Sequence, residues 1–171
     1  MNTKQEFNRL MNMQTELALA TCVDGQPNVR IVNFYFDETT KVILFSTFGN
    51  NEKVKEFKVN NKVAFTTIPH IGNEHVKAKG TVRKSSRTVL DVAECFIKKI
   101  PGYKNTIEQV GKDLVLFEIT FESAVVTLNF KNIEIYDLTL NVKVVVSNSS
   151  NFICASTDYA PDSTVCSKWA A

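Results

Sequence analysis

Arg30 sits within a run of mostly apolar or aromatic residues, Val29, Ile31, Val32, Phe34, Tyr35 and Phe36. A guanidinium keeps its charge at any ordinary pH, so it needs a nearby carboxylate such as Glu38, an anionic ligand, or solvent around its head. Further along, Ser46-Thr47 close a second apolar run, and Gly49-Asn50-Asn51-Glu52-Lys53 follow where helical spacing begins. A helix N-terminus presents unpaired N–H groups and a partial positive charge, so phosphate is a natural ligand there. Lys53 in that first turn is mildly disfavoured by the macrodipole, and a bound anion would reverse the penalty. Glu52 beside it, with simple solvation of Lys53 and Lys55, is the alternative. Together Arg30, Thr47 and Lys53 supply two cations and a hydroxyl on neighbouring elements, which suits a dianionic phosphate monoester.

The elements that must position these groups are read from periodicity. Phe7, Leu10 and Met11 at spacings of three and four predict a helix over 3–13, with Thr3 as N-cap and Glu6 completing a capping box. A strand over 17–23, turn chemistry at Asp24-Gly25-Gln26-Pro27 and a strand over 29–36 read as a hairpin. After a turn at 37–40 come a strand over 41–47, a short helix to Lys58 that buries Val54 and Phe57, and a strand over 62–68. The strand over 75–84 places Val76, Ala78, Gly80 and Val82 on one face and His75, Lys77, Lys79, Thr81 and Arg83 on the other. Val89, Leu90, Ala93, Phe96 and Ile97 then mark a helix, which Pro101-Gly102 breaks before a shorter one over 105–110. Strands over 114–121, 123–129 and 133–136 complete a mainly β chain, and so many strands with few helices point to a barrel rather than a doubly wound sheet.

Composition sets the outer bounds. A chain of 171 residues, 44% hydrophobic, fits a single core. Lys and Arg total 20 against 18 for Asp and Glu, and the resulting +2 is too small for a chain-wide nucleic-acid or membrane field. Residues 1–14 show no secretory pattern. The apolar stretches are strand-sized, short of the ~20 residues that span a bilayer. A soluble, cytoplasmic protein is expected. Cys22, Cys95, Cys154 and Cys166 are scattered without CxxC or zinc-ligand spacing, so free thiols are expected rather than a metal or disulfide framework. Residues 1–137 read as one domain; 138–171, poor in charge and rich in Ser, Thr, Asn and Val, read as a C-terminal tail with one more possible strand around Val142 to Val146.

The linear order of these pieces carries a resemblance. Gly25-x-Pro27-x-Val29-Arg30-x-Val32-x-Phe34, then Phe45-Ser46-Thr47, then Lys53-Val54-x-x-Phe57-x-x-Asn60-x-Lys62-Val63-Ala64 resembles the core signature of the pyridoxamine 5′-phosphate oxidase-like FMN-binding split barrels. The Val76-x-Ala78-x-Gly80-x-Val82 strand and the Pro101-containing helical pair are also similar to that family. The resemblance implies a split β-barrel homodimer with flavin mononucleotide in a cleft between two barrels. It implies that Arg30 and Lys53 bind the phosphate with Thr47 as hydroxyl donor, Ser46 beside them, and Ile31, Val32 and Asn33 along the isoalloxazine. Asn51 stands where relatives often place Ser or Thr, and can still donate a hydrogen bond.

The resemblance has a limit at the substrate. True pyridoxamine-phosphate oxidases hold substrate with C-terminal Arg and His residues, whereas no Arg follows Arg87 and no His follows His75. The expected activity is therefore that of a flavin-dependent oxidoreductase on another small molecule, with no catalytic side chain assigned. The rivals are a non-catalytic flavin-binding, stress-type protein and a split barrel that binds haem or a deazaflavin; a cofactor-free interaction module is the bland reading. Haem would call on His70 or His75, which otherwise read as surface histidines. Tyr35, Phe96 and Tyr103 read as packing residues. The cations Lys77, Lys79, Arg83, Lys84 and Arg87 read as a solvated strand face, with a second anionic ligand as the alternative.

Overall fold

The computed structural model describes residues 2–70, 72–139 and the backbone of 143–145. The first helix, α1 (Thr3–Met13), buries Phe7, Leu10 and Met11 as its spacing requires. Its N-cap is Asn2, whose side chain accepts from the Gln5 N–H, and not Thr3. Thr3 lies inside the first turn, buried, and its hydroxyl donates to the Glu134 carboxylate. A buried carboxylate thus claims the better-placed hydroxyl, and the neighbouring Asn, an equally good capping type, takes over the cap.

Strands β1 (Glu16–Val23) and β2 (Gln26–Asn33) form a hairpin whose ladder runs from Val23 opposite Gln26 to Glu16 opposite Asn33. The turn is two residues long, with positive φ at both Asp24 (51°) and Gly25 (75°), the mirror-image turn that matches strand twist. Gln26 and Pro27 therefore belong to the strand. Pro27 is tolerated because β2 pairs with β1 alone and its other edge carries no ladder among the described residues.

The expected single strand over 29–36 divides at Phe34. Its N–H donates to the Thr15 carbonyl, and β3 (Tyr35–Asp37) then pairs with β4 (Val42–Phe48). From β4 the ladders continue to β7 (Leu114–Thr120), to β6 (His75–Lys84), to β5 (Lys62–Thr67) and back to β1. Among the described residues no ladder joins β2 to β4. The sheet is open there, and at Phe34 the chain itself crosses the gap. This is a mainly β, split-barrel architecture.

The long strand β6 is forked. His75 to Lys77 pair with β8 (Ser123–Asn129), whereas Thr81 to Lys84 pair with β7. Gly80 lies at the fork, where a Cβ would stand 2.5 Å from the Thr120 carbonyl oxygen and 2.9 Å from the Ile119 side chain. Beyond β8 the sheet adds β9 (Asn132–Asp137) and β10 (Lys143–Val145), so three residues of the expected tail join the ladder.

The main core is aromatic, with Phe7, Phe34, Phe36 and Phe45 nearly sealed from solvent. Strand β4 is buried on both faces: Ile43 and Phe45 point into that core, while Val42 and Leu44 face a second cluster with Val89, Val92, Phe96 and Tyr103. The second cluster is closed by α3 (Ala93–Lys99) and α4 (Tyr103–Val110). A tight 3₁₀ turn at Leu90–Val92 precedes α3, which leaves Leu90 half exposed instead of on the buried helix face its spacing predicts. Between β4 and β5, α2 (Glu52–Val59) buries Val54 and Phe57 against the barrel.

Candidate functional site: an anion cradle on β2, β4 and α2

The hairpin register puts Thr21 opposite Asn28, and Arg30 lies two residues further along the same face of β2. Helix α2 lies over this face and brings Lys53 and Glu56, three residues apart, to the same edge. The Arg30 guanidinium donates through Nη1 to the Thr21 hydroxyl (2.7 Å) and through Nη2 to Glu56 Oε2 (2.6 Å). The Thr21 hydroxyl in turn donates to Glu56 Oε2 (2.6 Å), and Asn28 Nδ2 donates to Glu56 Oε1 (2.9 Å). On the other side Lys53 Nζ donates to Thr47 Oγ1 at 3.1 Å, and Thr47 is almost wholly buried.

Electrostatics show that these groups sense one another. Burial pulls the Lys53 ammonium below its ordinary range, the Arg30 charge pulls it further, and Glu56 only partly opposes them. Burial pushes the Glu56 carboxyl up, but the hydrogen bonds from Thr21 and Asn28, and the charge and bond of Arg30, outweigh it and hold the group below its usual value. Lys53 has a hydroxyl rather than a carboxylate as hydrogen-bond partner, and it repels Arg30. An incoming oxyanion would relieve both conditions.

The structure thus brings together three of the expected site residues, Arg30, Thr47 and Lys53. Asn51 is adjacent, but its side-chain oxygen is used as the α2 N-cap, accepting from the Lys53 N–H at 3.3 Å. Ser46 points the opposite way: strand alternation turns it toward α4, where its hydroxyl meets Tyr103 Oη at 2.5 Å. Ile31 is 60% exposed on the outer face of β2, Val32 is buried in the core, and Asn33 Nδ2 donates to the Thr15 carbonyl at 3.5 Å.

One partner was not legible as such. The expected carboxylate for Arg30, Glu38, instead accepts from Asn12, and Glu56 takes its place. The signal existed in the hairpin register and in the Lys53/Glu56 spacing, but only their combination across two elements points to Glu56. The remaining expectations divide. Tyr35, Phe96 and Tyr103 pack on one another, the last two stacked at 4.9 Å. His70 Nε2 lies 3.3 Å from the Thr15 hydroxyl and His75 Nδ1 2.7 Å from the Asn73 carbonyl. Arg83 and Arg87 pair with the buried Glu118, and Arg87 also with Asp37. Lys77 and Lys79 stay exposed and line a groove of about 820 Å³ with Lys62, Ala64, Val125 and Ile135, on a separate stretch of the sheet from the cradle. Cys22 and Cys95 are free thiols, whereas Cys154, Cys166 and Trp169 lie outside the described residues. Among the described residues no group of three metal-ligating side chains occurs, and no helix is long and apolar enough to cross a membrane.

The pyridoxamine 5′-phosphate oxidase-like family matches residues 10–133, a span that contains every element of the cradle. The chain belongs to this family. No curated protein matches it. Among solved structures, this pyridoxamine 5′-phosphate oxidase-like chain is similar to ChuZ of Campylobacter jejuni, with 18% identity, a TM-score of 0.69, and coverage of 88% of this chain and 66% of that one. It is similar to a heme binding protein from Mycobacterium smegmatis, with 11% identity, a TM-score of 0.61 and coverage of 77% and 56%. It is also similar to a FAD-binding protein from Mesorhizobium loti, with 14% identity, a TM-score of 0.54 and coverage of 70% and 90%. At these identities the likeness establishes the fold, and the chain spans about two-thirds of the ChuZ chain or less in the haem case.

Proposed function

We propose that this protein binds flavin mononucleotide, with the phosphate in the Arg30/Lys53/Thr47 cradle and the ring along β2, and acts as a flavin-dependent oxidoreductase on a small molecule. The observation that carries the reading is the convergence of two cations and a buried hydroxyl from three separate elements. The donor set fits a phosphate: a planar fork, a point charge and a hydroxyl, with Lys53 pulled down by burial and by Arg30. Arg30 and Lys53 hold the anion, Thr47 orients the lysine, and the β2 backbone fixes the plane in which a ring can lie. Bound flavin would supply the hydride or electron transfer.

The outer face of β2 supports a homodimer around such a site. Val29 is 65% and Ile31 60% exposed, and their cross-strand neighbours are Ala20 and Ala18. Apolar and small side chains side by side on an exposed sheet face suit close packing against a second copy.

The test begins with a visible spectrum of the purified protein and a fluorescence titration of the apo form with flavin mononucleotide. Saturable quenching is expected. Arg30→Ala and Lys53→Ala are each expected to weaken binding by about 1.5–3 kcal/mol, the range for hydrogen bonds to charged groups. Unchanged affinity in both variants rejects the cradle. Steady-state oxidation of NADH or NADPH separates an oxidoreductase from a non-catalytic flavin binder.

A second reading is favoured by the likeness to a heme binding protein. Haem propionates are carboxylates that the same cations would hold, and His70 or His75 would supply an axial nitrogen. A Soret band that survives substitution of both histidines removes them from that role.

A further inference from the structure

Strand β6 places Lys77 and Lys79 on one face, about 7 Å apart along the strand. Every arginine of the chain is ion-paired, whereas neither of these lysines has a carboxylate or hydrogen-bond partner among the described residues. Like charges held side by side repel, and an anion bound between them would relieve that repulsion. Lys62 joins them from β5, its Nζ donating to the Thr81 hydroxyl at 3.2 Å. The three lysines line one groove with a single acidic residue, Glu122, which leaves its lining at +2.

The fork of β6 builds this groove. Strands β7 and β8 pair with successive parts of β6 and part at Phe121-Glu122, so Ala78, Lys79 and Gly80 have no ladder partner on that edge. The opening has a volume of about 820 Å³, within the roughly 300–1,000 Å³ of small-molecule sites. Its apolar wall comes from Ala64 on β5, Val125 on β8 and Ile135 on β9, all partly exposed. The ladder register carries this face across the sheet, with Ile31, Ala18, Thr66, Lys77, Val125 and Ile135 as successive neighbours from β2 to β9. Arg30 points to the other face of β2, and three strand spacings, about 14 Å, separate β2 from β6. The groove is therefore distinct from the cradle.

We infer that this groove is a second ligand site, independent of the flavin reading, for a small organic anion with an apolar body, of the class of aliphatic or aromatic carboxylates. The ammonium groups of Lys77 and Lys79 meet the carboxylate, and the chain or ring lies against Ala64, Val125 and Ile135. An inorganic anion would leave that apolar wall wet, and a neutral hydrocarbon would gain nothing from the ammonium groups.

The test titrates the full chain with 8-anilinonaphthalene-1-sulfonate, an aromatic anion whose fluorescence rises on apolar contact, with decanoate as competitor. One saturable site per chain is expected, displaced by decanoate and untouched by flavin mononucleotide. Decanol, with the same chain length and no charge, is expected to need a roughly tenfold higher concentration. Lys77→Gln combined with Lys79→Gln is expected to weaken probe and decanoate roughly tenfold, and Lys77→Glu with Lys79→Glu further. Lys112→Gln, an exposed lysine elsewhere, is expected to stay within about twofold of wild type. Equal competition by decanol and decanoate overturns the inference without any variant, and so does a loss in Lys112→Gln as large as in the double variant. Displacement by flavin mononucleotide together with a loss in Arg30→Ala moves the probe to the cradle and overturns the groove alone. Probe binding that disappears as the chain self-associates in sedimentation gives the groove to a second copy and overturns it as well.

Discussion

The Thr21 hydroxyl is engaged twice, accepting from Arg30 and donating to Glu56. Thr21→Val keeps the volume and removes both bonds, so a shielded carboxylate loses a donor. A loss of about 1–3 kcal/mol in urea unfolding is expected, with Thr21→Ser close to wild type. A loss in Thr21→Ser with Thr21→Val close to wild type would show that the methyl group, not the hydroxyl, matters. Lys99 offers a second residue-scale test. Its Nζ donates to the Met11 carbonyl at 2.8 Å and lies 3.5 Å from the centre of the Phe34 ring, and burial pulls the group down to about 7. Lysine in an unfolded chain titrates near ~10.4, so between these two values the unfolded state binds more protons and this group makes stability rise with pH. Lys99→Met should flatten that rise in unfolding measured from pH 7 to 10, and an unaltered slope would refute the assignment. Arg30, Thr47 and Lys53 were legible because charge type and order survive in the sequence. Glu56 and Lys99 were not, since their partners come from other elements and only folding supplies the distance.

Among the elements, β2 carries the clearest contrast between inward and outward chemistry. If the proposed homodimer forms through the exposed Val29 and Ile31, Ile31→Asp is expected to leave a folded chain that sediments as a monomer at micromolar concentration. A wild-type monomer under the same conditions would remove the shared-cleft arrangement. At the β6 fork, Gly80→Ala forces a Cβ against the Thr120 carbonyl and is expected to cost about 2–3 kcal/mol in thermal or urea unfolding. Wild-type stability would mean that β6 and β7 separate there without penalty. Most elements were readable from period alone, including α1, β6 and β8. The break of 29–36 at Phe34 was not, because the apolar pattern runs through it; what divides it is a change of partner from β1 to β4. The 3₁₀ turn before α3 was hidden for a similar reason, since apolar spacing at 89–92 satisfies both helical periods.

In the whole molecule, the expectation of a mainly β chain held because strand count and scarcity of helices constrain the architecture even when single boundaries slip, while the split-barrel arrangement was legible only through the order of motifs that carries the family resemblance. Which strands become neighbours was less accessible. The hairpins β1–β2 and β8–β9 follow from short turns, but β4 finds β7 across three helices and two strands, from Val42 opposite Thr120 to Phe48 opposite Leu114. That pairing has a consequence during synthesis. At about 5–20 residues per second, the ribosome takes roughly 3 to 13 seconds to make the 65 residues between β4 and its partner. For that interval Val42-Ile43-Leu44-Phe45, a run destined for complete burial, has only the short β3 beside it. The nascent chain is then a natural client for chaperones that shield apolar strands, and its yield should depend on their supply more than on the stability of the finished fold.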